Sequence, residues 1–181
     1  MSHQEQPLRY IPTIPFPAYA FVPGILPHPT QNPEGHSYGL LAEEADPPEI
    51  GNWRASRMYL YGIDLFNYGY YWEAHEAWEE LWHACGHTGR RAEFLKGLIK
   101  LTAAGVKARE GKPHGVQIHA GGALIQFERV ASLLREEGSQ FMGFSLPELI
   151  KHAATIASNP ARYVTGSDEV QVVFDFHLLP K

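Results

Sequence analysis

The sequence contains a single cysteine, Cys85, among 181 residues. An internal disulfide is therefore excluded, and this cysteine usage is compatible with a reducing compartment. A basic surplus is also lacking, because 15 lysines and arginines stand against 20 acidic residues and give a net charge of −5. General binding to nucleic acid is not expected from that balance.

Long apolar runs are absent as well. No segment approaches the roughly 18 consecutive apolar residues of a membrane span, and no charged-then-apolar signal segment opens the chain. We therefore expect a soluble protein, located in the cytoplasm, that does not associate with membranes. With 44% apolar residues, a chain of this length can bury one well-filled core.

Proline is concentrated at the N-terminus, where ten of the fourteen prolines lie in residues 1–52. Proline fixes φ, removes a backbone donor and disfavours helix in the residue before it, so this segment should be extended and irregular. It is too apolar for a disordered tail. We expect residues 1–52 to form an arm that packs on the body or on a second subunit. Within it, residues 38–52, including Glu43 and Glu44, should lead into the first helix.

Residues 53–159 show apolar positions repeating every three to four residues, which predicts helices. We place five of them, at about 53–67, 70–85, 89–110, 115–136 and 145–158. Ser145, followed by Glu148 three residues later, is a typical helix start. Gly97 and Gly105 on the third helix should let neighbouring helices approach closely. The predicted fold is all-α, a compact bundle of about five helices with an extended N-terminal arm and a short C-terminal strand.

The C-terminal segment, residues 160–181, changes to a period of two. Apolar residues alternate with mostly polar ones from Val170 to Leu178, which predicts a strand. One strand cannot stand alone, so its partner would be the arm or the same strand of a second copy. A homodimer formed through the arm or this strand is the expected assembly.

The residues with the most chemical potential lie on the second helix. His75, Glu76 and Glu79 fall where its apolar stripe gives way to polar positions, and His75 and Glu79 are four residues apart, so they can face one point. This pattern shares the first His-Glu pair of the zinc-protease motif His-Glu-x-x-His but has Glu79 in place of its second histidine. It suggests a divalent metal ion at His75 and Glu79, with His28 or His36 of the arm as further ligands.

Two other interpretations of these residues stay open. His75 can be a partly buried structural histidine that donates to a backbone carbonyl or to Glu79, with Glu76 or Glu79 paired to a cation of the third helix. The trio can instead perform general acid–base catalysis, although no nucleophile or phosphate-binding motif accompanies it. In either interpretation the negative charge of Glu73, near the start of the helix, interacts favourably with the helix dipole. The candidate cations of the third helix are Arg91, Lys96 and Lys100. The candidate contacts to a substrate are Trp72, Lys100 and His119.

The central part resembles the domain-of-unknown-function family 309, a small all-α fold. The residues that carry the resemblance lie within about 57–135: Phe66-Asn67, Gly69, Glu73-Ala74-His75-Glu76, Glu79, Leu81-Trp82, Phe94, Gly97-Leu98-Ile99, Leu101 and Gly122-Ala123-Leu124. The resemblance implies a fold and no established activity.

Taken together, these features favour a binding or scaffold module whose polar site centres on His75, Glu76 and Glu79. The alternative is a metal-dependent hydrolase that uses the same three residues, with the arm closing over them. Whether the protein is an enzyme is left open by the sequence.

Overall fold

A computed structural model of the chain describes residues 7–41, 45–134 and 137–181. The predicted all-α bundle is confirmed, and no helix in these ranges is long and apolar enough to cross a membrane. Five helices form the body: α1 (Arg57–Asn67), α2 (Tyr71–Ala84), α3 (Gly89–Arg109), α4 (Pro113–Leu134) and α5 (Leu146–Ser158). Short 3-10 helices cover Ile50–Ala55 and Pro160–Arg162, and a small antiparallel hairpin, β1 (Gln140–Phe141) and β2 (Phe144–Ser145), leads into α5.

Serine side chains mark the starts of two helices. Ser145 accepts a hydrogen bond from the N–H of Glu148 at 3.4 Å, as predicted for the start of α5. Ser56 does the same for α1, which begins later than the predicted position because Ser56 itself has an extended backbone. The predicted end of α4 at 135–136, and residues 43–44 of the predicted linker, lie outside the described residues.

Helix α3 packs between α2 and α4, and its glycines set the spacing. A Cβ atom at Gly105 would lie 2.5 Å from the ring of Tyr71 on α2, and one at Gly97 would lie 2.5 Å from the ring of Phe127 on α4. Because a packed core has no spare volume, any larger residue would push these helices apart. The predicted close approach at both glycines is confirmed.

The described part of the arm lies against the helices of its own chain. The N–H groups of Tyr10 and Ile11 donate to the buried carboxylate of Asp64 at 2.7 and 2.8 Å. Further along, the buried guanidinium of Arg109 donates to the carbonyl of Ala20 at 2.8 Å. The arm therefore buries part of its apolar residues on its own chain, among them Ala20, Phe21 and Val22, whereas Leu40 and Leu41 stay exposed.

The strand predicted at residues 170–178 does not form, and this prediction is wrong. In the described structure this segment is irregular and pairs with no strand. Val170 and Val172 are exposed, whereas Phe174 and Leu178 are buried against the helices. The alternation of the sequence therefore does not correspond to two faces of a strand.

Side chains of the helices replace the missing partner strand. The amide of Asn67 donates to the carbonyl of Leu178 at 2.9 Å and accepts from the N–H of Leu178 at 2.7 Å. The hydroxyl of Tyr71 accepts from the N–H of Val173 at 3.0 Å. Because buried backbone groups need partners of some kind, these contacts fix the tail as an irregular segment on the bundle.

Replacing Asn67 with alanine should release this end of the tail. The N–H and carbonyl of Leu178 lose both partners, so we expect the free energy of unfolding in urea to fall by about 2–3 kcal/mol. Asn52→Ala is the matched control, because Asn52 is exposed and its side chain makes no hydrogen bond within the described structure. It should change stability by less than about 0.5 kcal/mol. Equal urea midpoints for the two variants would contradict this role of Asn67.

Candidate functional site

Helix α2 presents three adjacent metal-ligating side chains on its outward side. One ligand atom from each of His75, Glu76 and Glu79 lies within 4.8 Å of the others. The opposite side of the helix fixes this orientation, because its apolar residues are buried in the core. These buried residues are Tyr71, Ala74, Trp78 and Leu81.

The ring of His75 is held in place from two sides. It stacks on Trp72, with ring centroids 6.1 Å apart and an interplanar angle of 20°. On α3, the hydroxyl of Thr102 donates to the carbonyl of Ile99 at 2.7 Å and lies 3.4 Å from Nδ1 of His75. That hydroxyl can therefore only accept, so the hydrogen-bond network assigns the proton to Nδ1. The lone pair of Nε2 then faces Oε2 of Glu79, 3.8 Å away.

The charges at this site are not balanced. Loss of hydration lowers the pKa of His75, although the nearby carboxylate of Glu79 opposes this effect. Loss of hydration together with the carboxylates of Glu79, Glu80 and Glu73 raises the pKa of Glu76 to about 7. A neutral imidazole thus stands beside crowded carboxylates, an arrangement that favours a cation.

The cations of α3 do not neutralise these carboxylates. Arg91 donates to the carbonyl of Pro48 at 3.0 Å, and the ammonium of Lys96 lies 5.9 Å from the ring centre of Trp82. No ion pair joins either of these residues, or Lys100, to Glu76 or Glu79 within the described residues. The pairing considered in the structural interpretation is therefore not present, whereas a hydrogen bond between His75 and the backbone of Ile99 fits that interpretation and opposes the fall in the pKa of His75.

Comparison with known families places this helix within a described domain. Residues 59–118 match DUF309, a domain of unknown function. The match covers about a third of the 181 residues and confirms the expected resemblance from α1 to the start of α4. No curated protein matches the chain. The cluster of His75, Glu76 and Glu79 lies inside the DUF309 segment, and the arm lies outside it.

His119 follows the DUF309 segment by one position and lies on α4. Its Nδ1 atom is buried without a hydrogen-bond partner in the described structure. Loss of hydration, followed by the charges of Lys100 and Lys107, lowers the pKa of His119, with a smaller contribution from His75. His119 and Lys100 are thus neighbours of the site in electrostatic terms, and neither belongs to the group of ligand atoms around His75.

The two arm histidines make other contacts. Nδ1 of His28 accepts from the N–H groups of Thr30 and Gln31 at 3.3 Å, and the His28 ring lies edge-on to Trp72. Nε2 of His36 lies 3.1 Å from Oε1 of Glu73. Neither histidine belongs to the ligand group formed by the three residues of α2.

Glu73 has a larger role than the predicted one at the helix dipole. It is buried, and its Oε1 accepts from the N–H of Phe21 at 2.8 Å as well as contacting His36. Beside it, a cavity of about 270 Å³ lies between the arm, α1 and α2, and Trp72 and Glu76 also line this cavity. Sequence reasoning missed the role because Phe21 and His36 are far away in the chain and no local pattern links them to Glu73.

Replacing Glu76 with glutamine should stabilise the metal-free protein at alkaline pH. Because folding raises the pKa of Glu76 from 4.5 to about 7, its ionisation opposes folding, and stability is lost as the pH rises through this window. Solvent screens this exposed carboxylate, so we expect a gain of roughly 1 kcal/mol near pH 8 and none near pH 4. Urea denaturation at both pH values, with chelator present, measures the difference.

Glu128→Gln serves as the control, because Glu128 is exposed on α4. The stability of both glutamine variants is compared with that of the parent at each pH. An equal pH dependence in the two variants would contradict the raised pKa of Glu76.

Proposed function

We propose that the protein is a binding module that holds one divalent cation at His75, Glu76 and Glu79. The observation that carries this proposal is the 3.8 Å distance between Nε2 of His75 and Oε2 of Glu79. With the imidazole neutral, both atoms are acceptors and repel each other. A cation bonded to each at roughly 2.0–2.2 Å would convert that repulsion into attraction.

The ligand types support a divalent ion of the zinc or manganese kind. Imidazole nitrogen suits zinc and its neighbours, and carboxylate oxygen suits both zinc and manganese. Two carboxylates that are not paired with a lysine or arginine of the described residues also supply the negative charge that such an ion needs. Three ligands from one helix leave coordination positions open for water or a second molecule.

A metal-dependent hydrolase is the second candidate function, and the cavity beside Glu76 favours it. An open coordination position allows a bound cation to activate water at neutral pH, and the cavity offers room for a small substrate. A cytoplasmic location and a homodimer stay predictions from the sequence. One reason for predicting the homodimer no longer applies, because the described arm and tail pack on their own chain.

Isothermal titration of chelator-stripped protein with Zn²⁺, and separately with Mn²⁺, tests the binding proposal. The exposed pair His83 and His87, whose ring nitrogens are 2.7 Å apart, can also chelate zinc. The parent protein should therefore carry His83→Ala and His87→Ala. We expect one ion per chain in this parent, and binding at least about tenfold weaker when His75→Ala or Glu79→Gln is added.

Glu80→Gln is the matched control for Glu79→Gln, because Glu80 is on the same helix and outside the ligand group. It should weaken binding much less. Equal affinity in the parent and in both site variants would overturn the proposal. Loss of binding together with loss of the circular dichroism melt would instead indicate a structural role, so each variant is checked for folding.

Nitrophenyl esters and phosphates distinguish the two candidate functions. Metal-dependent turnover by the same parent, lost in Glu79→Gln, would favour the hydrolase. Stoichiometric metal binding without turnover would leave the binding module as the better description.

A further inference from the structure

We infer that the cavity between the arm and α2 binds the ammonium group of a small alkylamine. This site goes beyond the proposed cation site and does not require it. The two share Glu76 at one edge, but the arm cavity is built around Glu73, which is not part of the ligand group of His75. Its walls come from the arm, α1 and α2.

The first reason is an unused acceptor on a buried carboxylate. The side chain of Glu73 is 7% exposed, and it lines the cavity. Its Oε1 atom serves Phe21 and His36, whereas Oε2 has no hydrogen-bond donor within the described residues. Buried carboxylate oxygens normally have donors. A donor that enters the cavity would complete this carboxylate.

Arg109 is close enough to interact with Glu73 electrostatically, and it does not supply that donor. Its two terminal nitrogens donate to the carbonyls of Ala20, Asp168 and Glu169, and its Nε is buried without a partner among the described residues. Arg109 and Glu73 attract each other, which opposes the fall in the pKa of Arg109 caused by its burial, but no ion pair joins them in the described structure. Oε2 is therefore left without a donor in the described structure, and because this atom is itself buried, a ligand in the cavity must displace a neighbouring side chain to reach it.

The second reason is the charge and the aromatic content of the wall. Two acidic side chains, Glu73 and Glu76, line the cavity together with His36, whose Nε2 lies 3.1 Å from Oε1 of Glu73, and none of the lining residues is a lysine or arginine. The rings of Trp72 and Tyr61 form part of the same wall, and aromatic faces attract cations. An anion would be repelled here, and a neutral alcohol could donate one hydrogen bond to a carboxylate but would lack the attraction between opposite charges.

The size and the remaining polar groups narrow the ligand class. A volume of about 270 Å³ is below the usual range for drug-sized ligands, so the ligand should be small. A primary ammonium group has three donors and no acceptor. One donor fits Oε2 of Glu73, and the hydroxyls of Thr30 and Ser37, which also line the cavity, can accept others.

Binding of n-butylammonium, compared with n-butanol, tests this inference by ¹H–¹⁵N NMR of the full chain. The two probes share an apolar stem and differ in charge, and sodium chloride matches the ionic strength. We expect n-butylammonium to shift the indole N–H of Trp72 and the amide of Phe21 in a saturable way. n-Butanol should do so at least about tenfold more weakly, because its hydroxyl can donate one hydrogen bond to Glu73 but carries no positive charge that the carboxylates attract.

Two variants locate the binding site. Glu73→Gln keeps an oxygen for Phe21 and His36 but places an amide donor where the ligand needs an acceptor, so n-butylammonium should bind at least about tenfold more weakly. Ala77→Met fills the cavity, since Ala77 lines it, and leaves Glu73 and its partners in place. It should abolish the shifts even if Glu73→Gln were to fold poorly.

This set of variants distinguishes a failure of the metal-site proposal from a failure of the amine-site proposal. Glu79→Gln should weaken the metal site and keep amine binding, whereas Ala77→Met should remove amine binding and keep the metal site. Equal binding of n-butanol and n-butylammonium would reduce the cavity to an apolar site and overturn the inference. So would the absence of shifts with n-butylammonium, or shifts that persist in Ala77→Met.

Discussion

The buried carboxylate of Glu73 is the contact on which the arrangement of the arm depends. It lies in the first turn of α2 and accepts hydrogen bonds from Phe21 and His36. Both of these arm residues lie outside helices and strands. Residues 7–41 of the arm form no helix or strand, so they have no ladder in which to pair their backbone groups. Buried side chains of the helices pair them instead, and Arg109 holds the carbonyl of Ala20 in the same manner.

This anchoring divides α2 into regions of different chemistry. Its apolar side is buried in the bundle, the side that carries Glu73 is covered by the arm, and His75 and Glu79 remain partly exposed. Glu76 stands at the boundary, where it belongs to the ligand group and also lines the cavity. The site that we propose for an inorganic cation and the one that we propose for an organic cation therefore adjoin on α2 and share Glu76.

The sequence was sufficient for features that depend on local periodicity. The five helices, the start of α5 at Ser145 and the close approach at Gly97 and Gly105 follow from the 3.6-residue repeat and from residue size. The proximity of His75 and Glu79 follows from their spacing in one helix. The exact ends of the helices do not follow from the repeat, as the later start of α1 shows.

Features that depend on distant contacts were not predictable from the sequence. The strand pattern at 170–178 was misleading because Asn67, more than a hundred residues earlier, takes the hydrogen bonds that a partner strand would have taken. The role of Glu73 was missed for the same reason. Neither residue has a local neighbour whose identity reveals its partner, so only the folded chain shows what each one binds.

Anomalous scattering from crystals of the metal-loaded protein, recorded at the zinc absorption edge, tests the central claim most directly. We expect a peak at bonding distance, about 2.0–2.2 Å, from Nε2 of His75 and from carboxylate oxygens of Glu76 and Glu79. A peak found only between His83 and His87, or no peak on α2 at all, would contradict it.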